Sequence, residues 1–304
     1  MWDTRRDTGA VASVPMAISA RSALLVALAL VALAFTAFAW SHLRRARAGA
    51  PTPWMIAVGF VTNFFDTLGI GSYATTTTLW RARGTVDDRL LPGTLNVGHA
   101  WPTFAQAAIF LVSVRVGEGT LAALVGASVV GAWVGAGFAA RLSKRRVRLA
   151  VGTGLAAAAA LMAAGLLGAL PVGGEALALE GVRLAIGAAA CAIFGALMTF
   201  GIGAYAPIMI TVALLGMNPT AAFPIMMGAC AFLMPAANVR FLRAGACDPR
   251  AALGLTLGGV PGVLVAAWVV RSLPTTTLKV LVIAVASHAA WRLFADARQA
   301  EPEA

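Results

Sequence analysis

Sixty per cent of the 304 residues are hydrophobic, only 12% are charged, and the mean hydropathy is +0.84, far outside the range of soluble globular domains. The net charge of +11 sits largely in short segments between apolar runs, which fits the positive-inside rule and argues against a nucleic-acid partner. Three cysteines, Cys191, Cys230 and Cys247, with no CxxC spacing give neither a disulfide framework nor a metal site, and no cofactor is expected.

The N-terminus carries Arg5 and Arg6, then an apolar run over residues 22–40 closed by Arg44, Arg45 and Arg47. This run is long enough to span a bilayer. Ala37-Phe38-Ala39 has the form of a cleavage site, but the positive charge that follows favours a retained helix with that end in the cytoplasm. Residues 54–80 form a second apolar segment, interrupted by Gly69, Gly71, Ser72 and Thr75 to Thr78. Helix-breaking and polar residues in mid-membrane predict a broken helix. Apolar runs at about 90–114, 119–140 and 148–170 follow. The last two flank Arg141-Leu-Ser-Lys-Arg-Arg-Val-Arg148, five positive charges with no negative one.

A weakly acidic linker leads to a second broken segment, 184–216, and to runs at 220–242, 250–270 and 276–294. This order repeats that of the first half. Asp66-Thr-Leu-Gly-Ile-Gly-Ser-Tyr-Ala74 aligns with Met198-Thr-Phe-Gly-Ile-Gly-Ala-Tyr-Ala206, six of nine positions being identical. The two tyrosines of the protein, Tyr73 and Tyr205, occupy the same place in it. Carried along the chain at the same offset, the alignment matches Pro92 with Pro224, Gln106 with Asn238 and Gly126 with Gly258. Small-xxx-small spacings, Gly131/Gly135 and Gly254/Gly258/Gly262, suit close helix contact.

The expected fold is therefore an all-α polytopic membrane protein of two four-segment repeats with discontinuous helices behind one extra N-terminal transmembrane helix. Residues 1–50 hold the tail and extra helix, 51–170 the first repeat, 171–183 the linker, and 184–304 the second repeat and C-terminal tail. If each broken segment enters and leaves on one side, the basic loops at 41–50, 81–89, 141–148 and 240–250 all become cytoplasmic, and the repeats are inverted. Inverted repeats with helices broken near the midplane are the plan of many secondary transporters.

Of twelve acids, only Asp66 sits inside an apolar segment. A carboxylate there is either functional, as in proton coupling, or a cap for the helix restarting after the break. His99 is its candidate partner in a proton relay, against a structural histidine bonded to a carbonyl opened by Pro102. The repeat equivalents of Asp66, Asn96 and His99 are Met198, Gly228 and Ala231, so only the first half carries ionisable chemistry. The four asparagines, Asn63, Asn96, Asn218 and Asn238, lie in or beside the repeat segments, where an amide donates to an anion or bridges helices. Breaks at Gly69-Ile70-Gly71 and Gly201-Ile202-Gly203 would expose backbone N–H groups at the start of a half-helix, which favours an anion. The candidate substrate-binding residues are Gly69, Ile70, Gly71, Ser72, Tyr73, Thr75, Asn96, Gly201, Ile202, Gly203 and Tyr205, with Asp66 and His99 for proton coupling.

Over residues 54–295, and most closely in 66–81, 91–106 and 198–235, the chain resembles the sulfite exporter family of the TauE/SafE type, which carries a glycine-rich motif in each of two homologous halves. The family's GIGGG reads here as Gly69-Ile-Gly-Ser-Tyr73 and Gly201-Ile-Gly-Ala-Tyr205. The resemblance implies transport of small sulfur-containing anions such as sulfite, thiosulfate or organosulfonates across the bacterial cytoplasmic membrane, without an ATPase subunit. Two other classes remain. One is an intramembrane enzyme with Ser72 as nucleophile and His99 as base, for which GxSG, GxSxG and intramembrane HExxH contexts are all missing. The other is a scaffold or permease subunit.

Overall fold

A computed structural model describes residues 19–45, 49–139, 144–168, 174–198, 205–272 and 274–299. Among these, the secondary structure is helical apart from one isolated bridge between Ala176 and Met217. Eleven α-helices are α1 Ala20–Arg45, α2 Pro53–Thr67, α3 Ser72–Ala82, α4 Leu91–Ser113, α5 Glu118–Ala139, α6 Lys144–Leu166, α7 Gly181–Met198, α8 Tyr205–Leu214, α9 Ala222–Arg243, α10 Pro249–Ser272 and α11 Thr275–Gln299. Five of them, α1, α7, α9, α10 and α11, contain stretches long and apolar enough to cross a membrane, so the chain is a helical multi-pass membrane protein.

The helices begin and end where local chemistry directs. Thr52 caps α2 by accepting from the Met55 N–H at 3.3 Å, and Pro53 supplies a fixed φ in the first turn. At the far end the Ile70 N–H reaches the Phe65 carbonyl and the Gly69 N–H reaches that of Asp66, a Schellman closure. The same double bond ends α3 at Gly84, α8 at Gly216 and α9 at Gly245. All four glycines have positive φ.

Two sets of loops mark two ends of the bundle. At one end the Arg250 Nε donates to the Ala50 carbonyl at 2.7 Å, and the Asp248 N–H donates to the Thr94 hydroxyl at 2.8 Å. At the other, the Gly117 N–H donates to the Leu177 carbonyl, the Leu179 N–H to the Thr120 hydroxyl, and the Asn218 N–H to the Ala176 carbonyl. We call the first the basic end, because Arg81, Arg83, Arg89, Arg243 and Arg250 lie at or beside its loops. α4 and α9 pass between the ends antiparallel to each other. The rings of Phe110 and Phe223 stack at 5.1 Å near one end of the pair, and at the other a Cβ on Gly93 would meet the Phe241 ring. These two helices form the centre: 67% of the apolar window of α9 is buried, against 17% for α1, which leaves α1 at the periphery.

The broken segment α2–α3 is a hairpin. The Trp54 indole donates to the Thr85 hydroxyl at 3.2 Å and the Arg83 guanidinium lies 3.8 Å above the Trp54 ring, so its two outer ends meet at the basic end. α2 and α3 are roughly 22 and 16 Å long, each shorter than a bilayer core, so the turn between them lies inside the bundle. The segment α7–α8 closes in the same way at the opposite end, where a Cβ on Gly187 would meet Leu215 and Arg183 approaches Gly216.

Glycines set the closest helix contacts. A Cβ on Gly258 would run into the Ile56 carbonyl oxygen, and one on Gly262 into that of Phe60, so the expected Gly254/Gly258/Gly262 stripe packs α10 directly onto α2. Gly131 and Gly195 bring α5 and α7 together likewise, against the carbonyls of Ala192 and Ser128. When the chain is shifted so that Asp66 falls on Met198, the bounds of α3, α4, α5 and α6 nearly coincide with those of α8, α9, α10 and α11.

Candidate functional site at the first helix break

The break comprises Leu68 to Gly71. Gly69 has φ 94° and Gly71 φ 87°, a left-handed backbone that side-chain-bearing residues adopt only with strain. Asp66, buried in the last turn of α2, reaches over the break: its Oδ1 accepts from the Ser72 N–H at 2.8 Å, the first N–H of α3. The Gln106 Nε2 of α4 donates to Asp66 Oδ2 at 3.0 Å and to the Thr67 hydroxyl at 2.9 Å. The carboxylate thus occupies the partial positive charge at the start of α3 and ties both half-helices to α4. This is the geometry of a helix cap, extended into a clamp.

His99 closes a second group beside it. The Asn63 Nδ2 donates to the Gly59 carbonyl at 2.7 Å, which turns its Oδ1 toward His99 Nδ1 at 2.9 Å. Nδ1 is therefore the ring donor, and Nε2 accepts from the Thr76 hydroxyl at 3.3 Å. The Tyr73 ring stacks on the imidazole at a centroid distance of 5.5 Å. The carbonyl opened by Pro102, that of Gly98, accepts from Thr256 of α10 at 3.0 Å rather than from His99. The structural role expected for His99 is thus filled by side chains of α2 and α3. Since Asn63 and Thr76 take both ring nitrogens, a direct hydrogen bond from His99 to Asp66 or to Ser72 has no nitrogen left to use.

The break opens to space on one side. Among the described residues a Cβ on Gly71 would meet nothing within 4 Å, and Tyr73 is 38% exposed although its ring packs on buried His99. On the other side a Cβ on Gly69 would meet Met209 of α8 and Val285 of α11. Cys230 of α9 is an electrostatic neighbour of Tyr73, and its thiol donates to the Met198 sulfur at 3.7 Å. Met198 is the last residue of α7, so the first break reaches the inner ends of both α7 and α8.

Of the residues singled out in the sequence, Asp66, Gly69, Ile70, Gly71, Ser72 and Tyr73 lie at this break. Thr75 turns its hydroxyl back to the carbonyls of Gly71 and Ser72. Asn96 bonds the Pro92 carbonyl of its own helix at 3.0 Å. Gly201, Ile202 and Gly203 lie outside the described residues, and Tyr205 is described only as the first residue of α8. Thr67, Thr76 and Gln106 are central to the site yet absent from the sequence-based candidates. Only Gln106 carried a signal, as an amide in an apolar run matched to another amide. No protein-family profile, curated protein or solved structure matches the chain.

Proposed function

We propose that the chain is a secondary transporter that exports small sulfur-containing anions such as sulfite, thiosulfate or organosulfonates across the bacterial cytoplasmic membrane. The observation that carries this reading is the pair of helix hairpins, α2–α3 from the basic end and α7–α8 from the opposite end, whose inner ends meet around Gly69, Met209, Cys230 and Met198. Read as two inverted repeats, they form a central site that alternate rocking exposes to either side. The helix bounds that match between the two halves support that symmetry. With the basic end in the cytoplasm, the charge distribution follows the positive-inside rule. The anion class rests on the resemblance of the glycine motifs.

Export needs no ATPase, because a membrane potential that is negative inside drives a monovalent anion outward with about 2.3 kcal/mol per 100 mV. Asp66 stands next to the proposed path, and its protonation would remove a repelling charge and loosen the cap on α3, which makes it the residue for proton linkage. The test is flux of sulfite, thiosulfate, sulfate, sulfoacetate and taurine in proteoliposomes of the purified chain at two pH values. Uptake or efflux of at least one sulfur anion with dependence on membrane potential is expected. A chain that carries none of them would instead support a scaffold or permease subunit.

A further inference from the structure

We infer that Asn238 of α9 is a ligand-contacting residue, and that its ligand is a small anion that also carries a hydrogen-bond donor. The inference rests on the proposed transport reading. Asn238 is fully buried, and neither its Nδ2 nor its Oδ1 has a hydrogen-bond partner among the described residues. Buried polar groups are almost always paired, and leaving both ends of an amide unpaired costs free energy. A ligand that supplies an acceptor to Nδ2 and a donor to Oδ1 would offset it.

The contrast with the first half is direct. Gln106, the counterpart of Asn238 in the first repeat, spends its amide N–H groups on Asp66 and Thr67. Met198 stands where the second half would place the carboxylate, and a thioether makes no comparable demand on an amide. Thr199, which aligns with Thr67, lies outside the described residues, and among the described ones no group takes up the amide of the second half. Cys230, Met234 and Asn238 follow at four-residue spacing, which puts them on one face of α9, and Cys230 touches Met198 at the inner end of α7. Asn238 lies two turns from that contact, between the meeting point of the hairpins and the basic end of α9.

The test compares 2-hydroxyethanesulfonate with ethanesulfonate, which has the same charge and nearly the same shape but lacks the donor. Both are titrated against the purified full chain and against Asn238→Leu. The wild type is expected to bind the hydroxylated sulfonate at least about tenfold more tightly, since a site built to hydrogen-bond a hydroxyl rejects the analogue without it. Asn238→Leu should lose that preference. Its ligand-free Tm should rise, because leucine replaces an unpaired buried amide with an apolar group of similar size. Equal affinities in the wild type, or a preference retained in Asn238→Leu, would overturn the inference. If the wild type binds neither sulfonate, the sulfonate reading fails, and the ligand-free Tm decides for Asn238 by itself. A rise upholds an amide held for another ligand, whereas a fall shows that it is satisfied within the protein and overturns the proposal.

Discussion

Asp66 serves two roles that substitution can separate. As a cap it needs an acceptor for the Ser72 N–H, which asparagine also provides, and Gln106 can turn its amide so that Oε1 accepts from the asparagine Nδ2; as a proton carrier it needs a carboxyl group. Asp66→Asn should therefore keep a Tm near that of the wild type while removing the pH dependence of anion flux. Asp66→Ala should lose about 1 kcal/mol of stability through the uncapped α3. Flux with unchanged pH dependence in Asp66→Asn would remove Asp66 from the coupling mechanism. At Gly69, whose φ is 94° and whose open Cβ position is filled by Met209, alanine is expected to cost about 1–2 kcal/mol from backbone conformation alone, before the clash is counted. At Gly71 the same φ penalty applies, but no described atom lies within 4 Å of the open Cβ position, so Gly71→Ala should be the milder of the two in a thermal-unfolding comparison.

Among the elements, α2 and α10 form the contact most sensitive to volume. The backbones touch at Gly59, Gly254, Gly258 and Gly262, where no Cβ fits without displacing main chain. Gly258→Leu should thus separate the helices and yield a protein that elutes as aggregate from a detergent column. Gly126, its counterpart by sequence on α5, has nothing within 4 Å of its open Cβ position, so Gly126→Leu should elute as the wild type does. If both variants behave alike, the close approach of α10 to α2 is wrong. The comparison also shows why a glycine stripe in the sequence is ambiguous. The α10 stripe meets a neighbouring backbone, while the equivalent position on α5 faces open space, and that difference depends on how the helices are placed.

For the whole molecule, the arrangement of two hairpins from opposite ends fixes which loops share a side. Single cysteines at Gly84 and Gly245 should react with a membrane-impermeant maleimide from one face, and one at Glu118 from the other. The native Cys247 should stay silent at neutral pH although it lies in a loop. Burial, offset in part by the Thr94 hydroxyl and reinforced by Asp248, pushes its thiol up to about 12, so the reactive thiolate forms only near that pH. Labelling of Gly49→Cys and Gly84→Cys from opposite faces would rule out the hairpin form of α2–α3.

Composition and the spacing of apolar runs were enough to establish a helical membrane protein, because a bilayer admits long apolar helices and little else. They also place each helix to within a few residues of its observed bounds. The first break was legible because glycine and clustered threonines contradict a continuous apolar helix; the second, at Gly201 to Gly203, lies outside the described residues. Charge placement further required that the first segment return to its own side, as the Trp54–Thr85 contact does. Tertiary structure alone decided the rest. Periodicity cannot tell that the carbonyl opened by Pro102 goes to Thr256, that Asn63 and Thr76 occupy His99, or that the Gln106 Nε2 finds partners while among the described residues neither polar atom of Asn238 does. Each of these depends on which face of one helix meets which face of another, and hydrogen bonds form only over about 3 Å of a geometry that helix packing sets.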